Sequence, residues 1–121
     1  MAGDSGESVS TLINTDVDES GDVGVATPAK LVGYHIHNGA AVGTQQYVKL
    51  YNTATAPTVG TDTPLMTLGV EGGSQAVAMG MVPILFSAGI GLGATTAAAL
   101  GDTGAPSAND VCVTLYYLDI G

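Results

Sequence analysis

At 121 residues the chain fits a single domain, with 45% hydrophobic residues, only 11% charged ones, and eleven acids against two bases, Lys30 and Lys49, for a formal net charge of −9. Two bases cannot neutralise a row of phosphates, so nucleic acid is excluded as an expected partner. One cysteine, Cys112, excludes an internal disulfide framework and a cysteine-based zinc site, and the longest apolar runs, such as residues 79–86, fall far below the roughly 20 residues of a membrane span.

The first 22 residues hold six of the eleven acids (Asp4, Glu7, Asp16, Asp18, Glu19, Asp22), with Val9, Leu12 and Ile13 as the apolar anchors. This composition predicts an extended acidic N-terminal arm over residues 1–21 that orders only where it docks, followed by a folded domain over 22–121. Residues 1–5 carry no base and no apolar run follows, so no secretory signal is expected and synthesis is expected in the cytoplasm.

From Asp22 onward, short apolar runs alternate with turn residues, and eighteen glycines and five prolines are spread along the whole chain. That punctuation predicts an all-β fold, an antiparallel β-sandwich with the jelly-roll among its forms. Leu31 to His37, ended by Asn38-Gly39, reads as a strand with Val32, Tyr34 and Ile36 inward. Gln46 to Tyr51 reads as the next, with Val48 and Leu50 on one face and Tyr47, Lys49 and Tyr51 on the other. The two are expected to pair as a hairpin through the Gly39 to Thr44 loop. Residues 52–63 are a long turn region, and Pro64 to Val70 and Gln75 to Val82 suggest a second hairpin around Glu71 to Ser74. Residues 89–93 are a glycine-weakened strand or a loop, and Val111 to Leu118, apolar on both faces, reads as a central strand covered on each side.

Few residues in this text suggest chemistry. Gly89-Ile90-Gly91-Leu92-Gly93-Ala94 matches a relaxed dinucleotide fingerprint, but the helix that should follow is cut at Gly101, so a glycine-rich strand or loop is the better reading. His35 and His37 share a strand face as some β-barrel metal ligands do, and the pair is similar to part of the cupin pattern. Asn38 to Ala41 stand where a cupin has its glutamate, and there is no third histidine, so two exposed or interfacial polar residues are favoured over a metal-dependent enzyme. Cys112 sits mid-strand as a small hydrophobe, and Asp16, Asp18 and Asp22 lack the glycine and glutamate of a calcium loop. No catalytic residue, metal or cofactor is expected. Tyr47, Lys49 and Tyr51 beside His35 and His37 would form a polar-aromatic outer face, either an ordinary exposed sheet or a surface for a protein or glycan.

The strings Tyr47-Val48-Lys49-Leu50-Tyr51-Asn52, Ala56-Pro57-Thr58-Val59-Gly60-Thr61-Asp62-Thr63-Pro64 and Asp102-Thr103-Gly104-Ala105-Pro106, the last leading through Ala108 to Val111, resemble small virion proteins of tailed bacteriophages over residues 30–118. The resemblance implies a β-sandwich that sits on the capsid exterior as a decoration or cement protein. Such modules commonly form a homotrimer over contacts between major capsid protein subunits. A receptor- or glycan-binding module of a head or tail fibre is the alternative that it implies. Within that reading the partner-binding residues are Val9, Leu12 and Ile13 of the arm, which would add a strand to a neighbour, and His35, His37, Tyr47, Lys49 and Tyr51 of the body.

Overall fold

The computed structural model describes residues 8–121, so the part of the expected arm in residues 1–7 lies outside the described residues. The described residues run as nine strands: β1 (Ser10–Asn14), β2 (Asp22–Val25), β3 (Ala29–Asn38), β4 (Gln46–Asn52), β5 (Met66–Val70), β6 (Gln75–Ala78), β7 (Ile84–Phe86), β8 (Ile90–Thr95) and β9 (Val111–Asp119). They form two sheets, and every pairing is antiparallel. One sheet has the order β1-β9-β3-β6, with β7 also on β3; the other has the order β2-β8-β4-β5. The molecule is thus the all-β sandwich that the glycine and proline punctuation implied.

The core lies between the sheets. Leu31, Ile36, Phe86, Val111, Val113 and Leu115 from the five-stranded sheet meet Val25, Val48, Leu50, Ile90, Leu92 and Ala94 from the four-stranded one. Burying one such Val, Leu, Ile or Phe contributes about 1.5–3 kcal/mol. The side chains are small and aliphatic, with Phe86 as the one phenylalanine, so the layer holds by number of contacts and not by aromatic bulk.

Both expected hairpins are absent, and for the same reason. β3 and β4 lie in different sheets, as do β5 and β6, so each connection crosses from one layer to the other. Asn38 marks the first crossing. It is fully buried, its Nδ2 donates to Thr44 O (3.0 Å) and Val70 O (2.8 Å), and its Oδ1 accepts from Ala40 N (3.0 Å). One amide thereby satisfies the backbone of the turn after β3 and of the end of β5. A hairpin across 39–44 would strand those groups without partners in an apolar interior.

The inward set of β3 also differs from expectation. Its register to β9 slips between Leu31 and Gly33, a bulge at Val32. Ala29 and Leu31 face the core before the bulge, Tyr34, Ile36 and Asn38 after it, and Val32 is half-buried. An extra residue in a period-2 strand reverses which side chains point in. The same bulge divides the edge of β3 between β7, on 29–31, and β6, on 34–37, with Met81 N bonded to Val32 O (3.1 Å) where the edge changes partner.

The described part of the expected arm belongs to the sandwich. β1 pairs along its whole length with β9, Leu12 packs against the core, and Val17 is 1% exposed with its N–H on Val111 O (3.0 Å). Residues 15–21 cross between the sheets, and Asp18 O accepts from Ala94 N (2.9 Å). The acids here hold the protein's own loops: Asp16 accepts from Asn109 N (2.8 Å), Asp18 from Ser20 N (2.9 Å) and Asp22 from Asn14 Nδ2 (3.1 Å). The domain therefore includes β1, and the boundary at residue 22 is corrected.

Candidate functional site

The two outer faces of the sandwich differ. Over the four-stranded sheet, Tyr47, Lys49 and Tyr51 on β4 stand opposite Thr95, Gly93 and Gly91 on β8. The 53–63 segment is laid flat across those glycines, with Pro57 and Val59 buried. A methyl at position 91 would come within 2.7 Å of Thr53 Cγ2, and one at 93 within 2.6 Å of Val59 Cγ2, so the close approach needs glycine at both places. Under this cover Lys49 is fully buried, its Nζ donating to Ala99 O (2.7 Å), and Tyr51 is 2% exposed. Tyr47 is half-buried and lies against Gly69 of β5.

This corrects the expected polar-aromatic face. Lys49 and Tyr51 are covered, and all three β4 residues lie on the opposite side of the molecule from His35 and His37, which belong to the five-stranded sheet. The Gly89 to Ala94 string is the central strand β8 of the four-stranded sheet, with its glycines used for packing.

Among the described residues, nothing covers the outer face of the five-stranded sheet in this way. Its registers set side chains in rows across four strands: Ile13, Thr114, His35 and Val77; Thr11, Tyr116 and Gly33; Cys112, His37 and Gln75; Leu118, Lys30 and Leu85. Ile13 is 65% exposed, Val77 59% and Leu85 53%, and Met79 Sδ lies beside Gly33 at the margin. His35 Nε2 bonds Gln75 Oε1, which ties β3 to the edge strand β6. β9 is central as expected, but it is covered on one side only: its inward Val111, Val113 and Leu115 are buried, while Cys112, Thr114 and Tyr116 are half-exposed.

Charge is segregated on this frame. None of the outward residues of the five-stranded sheet named above is an acid, and they include Lys30 and both histidines. The β1–β2, β3–β4, β5–β6 and β8–β9 connections emerge together at one end, and Asp16, Asp18, Glu19, Glu71 and Asp110 lie in them. The candidate site is therefore a sheet face of mixed apolar and polar character, with Lys30 and two histidines and no acid among the described residues, beside an acidic loop end.

Of the arm anchors, Ile13 joins this face, Val9 is 55% exposed next to it, and Leu12 points into the core. Leu12 is thus unavailable to a neighbour. Sequence reading missed Val77, Leu85, Thr114 and Tyr116. The one signal for them was the run of apolar residues on both faces of 111–118.

A second feature is a cavity of about 410 Å³ at the other end, walled by Tyr51, Asn52 and Thr53 and by Asp62 to Leu65. Burial and, secondarily, the nearby Asp62 carboxylate push the Tyr51 hydroxyl above its ordinary value, so it stays protonated. Among the described residues there is no group of three or more His, Cys, Asp or Glu side chains placed to hold a metal, and no helix long and apolar enough to cross a membrane. No protein-family model, curated protein or solved structure matches the chain.

Proposed function

We propose that the chain is a non-catalytic structural module of a tailed-phage virion, which attaches to the outside of the capsid and stabilises contacts between major capsid protein subunits. The observation that carries this reading is the asymmetry of the sandwich: one outer face is sealed by its own loops, and the other, of mixed apolar and polar character, carries no acid and no cover among the described residues. A protein with net charge −9 whose described residues place no acid on one sheet face has a surface suited to a partner protein. The phrasing of residues 47–64 and 102–111 adds the virion context. The strand order β1-β9-β3-β6 opposite β2-β8-β4-β5, with chain crossings between layers, supports reading the sandwich as a jelly-roll.

Size sets what the face can do. Strands of five, nine, ten, four and three residues, at about 3.3 Å per residue and about 4.8 Å between strands, give roughly 500 Å². A stable interface takes about 800 Å² from each partner, so exposed rim residues such as Val9, Met79 and Val82 would complete the contact. Self-association as a trimer belongs to the same reading, and light scattering on the purified chain measures it.

Shell attachment is tested by co-sedimenting the chain with capsid shells of the phage that encodes it. Ile13→Asp and Val77→Asp place charge in the middle row of the bare face without touching the core. The reading expects both to lose shell binding while remaining folded, and wild-type binding by both variants would refute it.

A further inference from the structure

We infer that the free edge of β1 pairs with the β1 edge of a second copy, antiparallel about a two-fold axis through Leu12, so that two five-stranded sheets join into one. β1 ends the strand order of its sheet, and among the described residues no strand and no loop backbone bonds to its outer side. Alternate residues of such a strand turn N–H and C=O groups away from the one partner, and an open row of these groups is a template for another strand. Edges that stay single carry a charge, a proline, a bulge or a cover. The β2 edge holds Asp22 and a bulge between Val23 and Val25. The far edge of the five-stranded sheet is broken into the short β6 and β7, with Gly80 (φ +61°) and Pro83 between them. At β5 the side chains of Gln45 and Tyr47 lie over Gly69. β1 has none of these devices. Its register on β9 runs without a shift, and residues 8–15 hold no charge and no proline, although Glu7 and Asp16 stand on either side.

The residues of this edge suit a copy of themselves. With the axis at Leu12 all five residues of β1 overlap, and the pairing makes about four to six main-chain hydrogen bonds. Leu12, only partly buried in one copy, meets its own counterpart on the core side. On the outer face Thr11 of each copy stands opposite Ile13 of the other, which covers an isoleucine that is 65% exposed. An edge that pairs with its own copy is used up by one neighbour, so the product is a closed pair. A trimer, which the virion resemblance implies, needs other surfaces than this edge, and mass separates the two. Area argues for the same occupant. One outer face offers roughly 500 Å² against the about 800 Å² of a stable interface, whereas two faces joined at β1 form a continuous surface of roughly 1,000 Å². That use of the pair rests on the proposed docking of the bare face; the pairing itself rests on the edge. A five-residue edge is a small contact, so the pair is weak in dilute solution and is strengthened where both copies hold one shell.

The experiment is sedimentation velocity of the full chain across a concentration series, repeated with Thr11→Lys, Ile13→Glu and the double variant. The expected result is a shift from one chain to two, with a dissociation constant on the order of 100 µM, and slower amide hydrogen exchange over residues 10–14 as concentration rises. Both side chains are exposed, so each variant should keep its fold, which circular dichroism checks. Each single variant sets two like charges diagonally across the axis and should weaken pairing about tenfold. The double variant sets each new lysine opposite a new glutamate and should return to within about threefold of wild type. A single chain at every concentration, a mass of three chains, pairing untouched by the single variants, or no recovery in the double variant would overturn the inference. Val77→Asp lies on the opposite edge and should still pair while losing shell attachment. Loss of pairing in that protein would place the contact on the sheet face and overturn the edge assignment. Wild-type shell binding by Val77→Asp would strike the docking proposal and leave the pairing standing.

Discussion

Gly93→Ala is a small change with a consequence that can be worked out from the packing. Position 93 faces outward from β8, opposite Lys49, and an added methyl would stand 2.6 Å from Val59 Cγ2 and 3.5 Å from Tyr51 Cε1. Real carbon contacts do not close to 2.6 Å, so the 57–60 segment must lift. Overpacking of this kind costs about 1–3 kcal/mol, and the stiffer unfolded chain that alanine brings returns about 0.4–1 kcal/mol. The net expectation is a loss of about 1–2 kcal/mol. Val59→Ala alone removes roughly two buried carbons and costs about 1.6 kcal/mol. It also removes the atom that the new methyl strikes, so the double variant should be more stable than the sum of the singles implies by at least about 1 kcal/mol. Urea unfolding of the four proteins of this cycle measures that coupling. A stable Gly93→Ala protein, or strictly additive variants, would refute the claim that β8 carries glycine so that the 53–63 segment can lie flat.

Other consequences follow from the same packing. Lys49→Ala deletes three buried methylenes and the bond to Ala99 O; the lost methylenes alone come to about 2.4 kcal/mol and release of the buried ammonium offsets part of it, for a net loss of about 2 kcal/mol in denaturant unfolding, whereas Lys49→Met should stay within about 1 kcal/mol of wild type. Removing residues 1–20 takes away β1, Leu12 and Val17 and should lower the melting temperature by well over 5 °C, at about 4 °C per kcal/mol; an unchanged melting temperature would mean that β1 is dispensable. For pH, the Tyr51 hydroxyl titrates higher in the folded chain than its unfolded value of about 10, so its contribution is complete below pH 10 and is lost as pH rises through the folded value. Tyr51→Phe should therefore flatten the alkaline end of the stability curve, and identical alkaline slopes would contradict the burial of that group.

Strand positions were legible because period-2 alternation is local: the runs at 31–37, 46–51 and 111–118 all became strands. Partners were not. Alternation says which side of a strand is apolar and says nothing of which sheet receives it, and the turn-like text after Asn38 and after Val70 fits a hairpin as well as a crossing. The buried amide of Asn38, which reaches both Thr44 and Val70, decides the matter through contacts 6 and 32 residues away. Residues 10–21 read as a solvated arm because their acids dominate the composition, yet those carboxylates hold the protein's own loops and leave Leu12 and Val17 free to enter the core. Tyr47, Lys49 and Tyr51 read as exposed because their cover depends on glycines of β8, some forty residues on, which let the loop after β4 fold back with Pro57 and Val59 over the sheet. Ile13 read as an anchor of a separate arm and the histidines as exposed or interfacial residues of β3; only the register across β1, β9, β3 and β6 sets Ile13 and His35 in one row.

The central claim is that the bare face of the five-stranded sheet meets the capsid. The most direct measurement is a cryo-electron microscopy map of the intact particle at a resolution that traces strands. The account predicts the sandwich on the outer shell with Ile13, His35 and Val77 against capsid protein or a neighbouring copy, and Pro57 and Val59 turned to solvent. A particle whose shell lacks the chain, or one that presents the Ile13 to Val77 row to solvent, would contradict it.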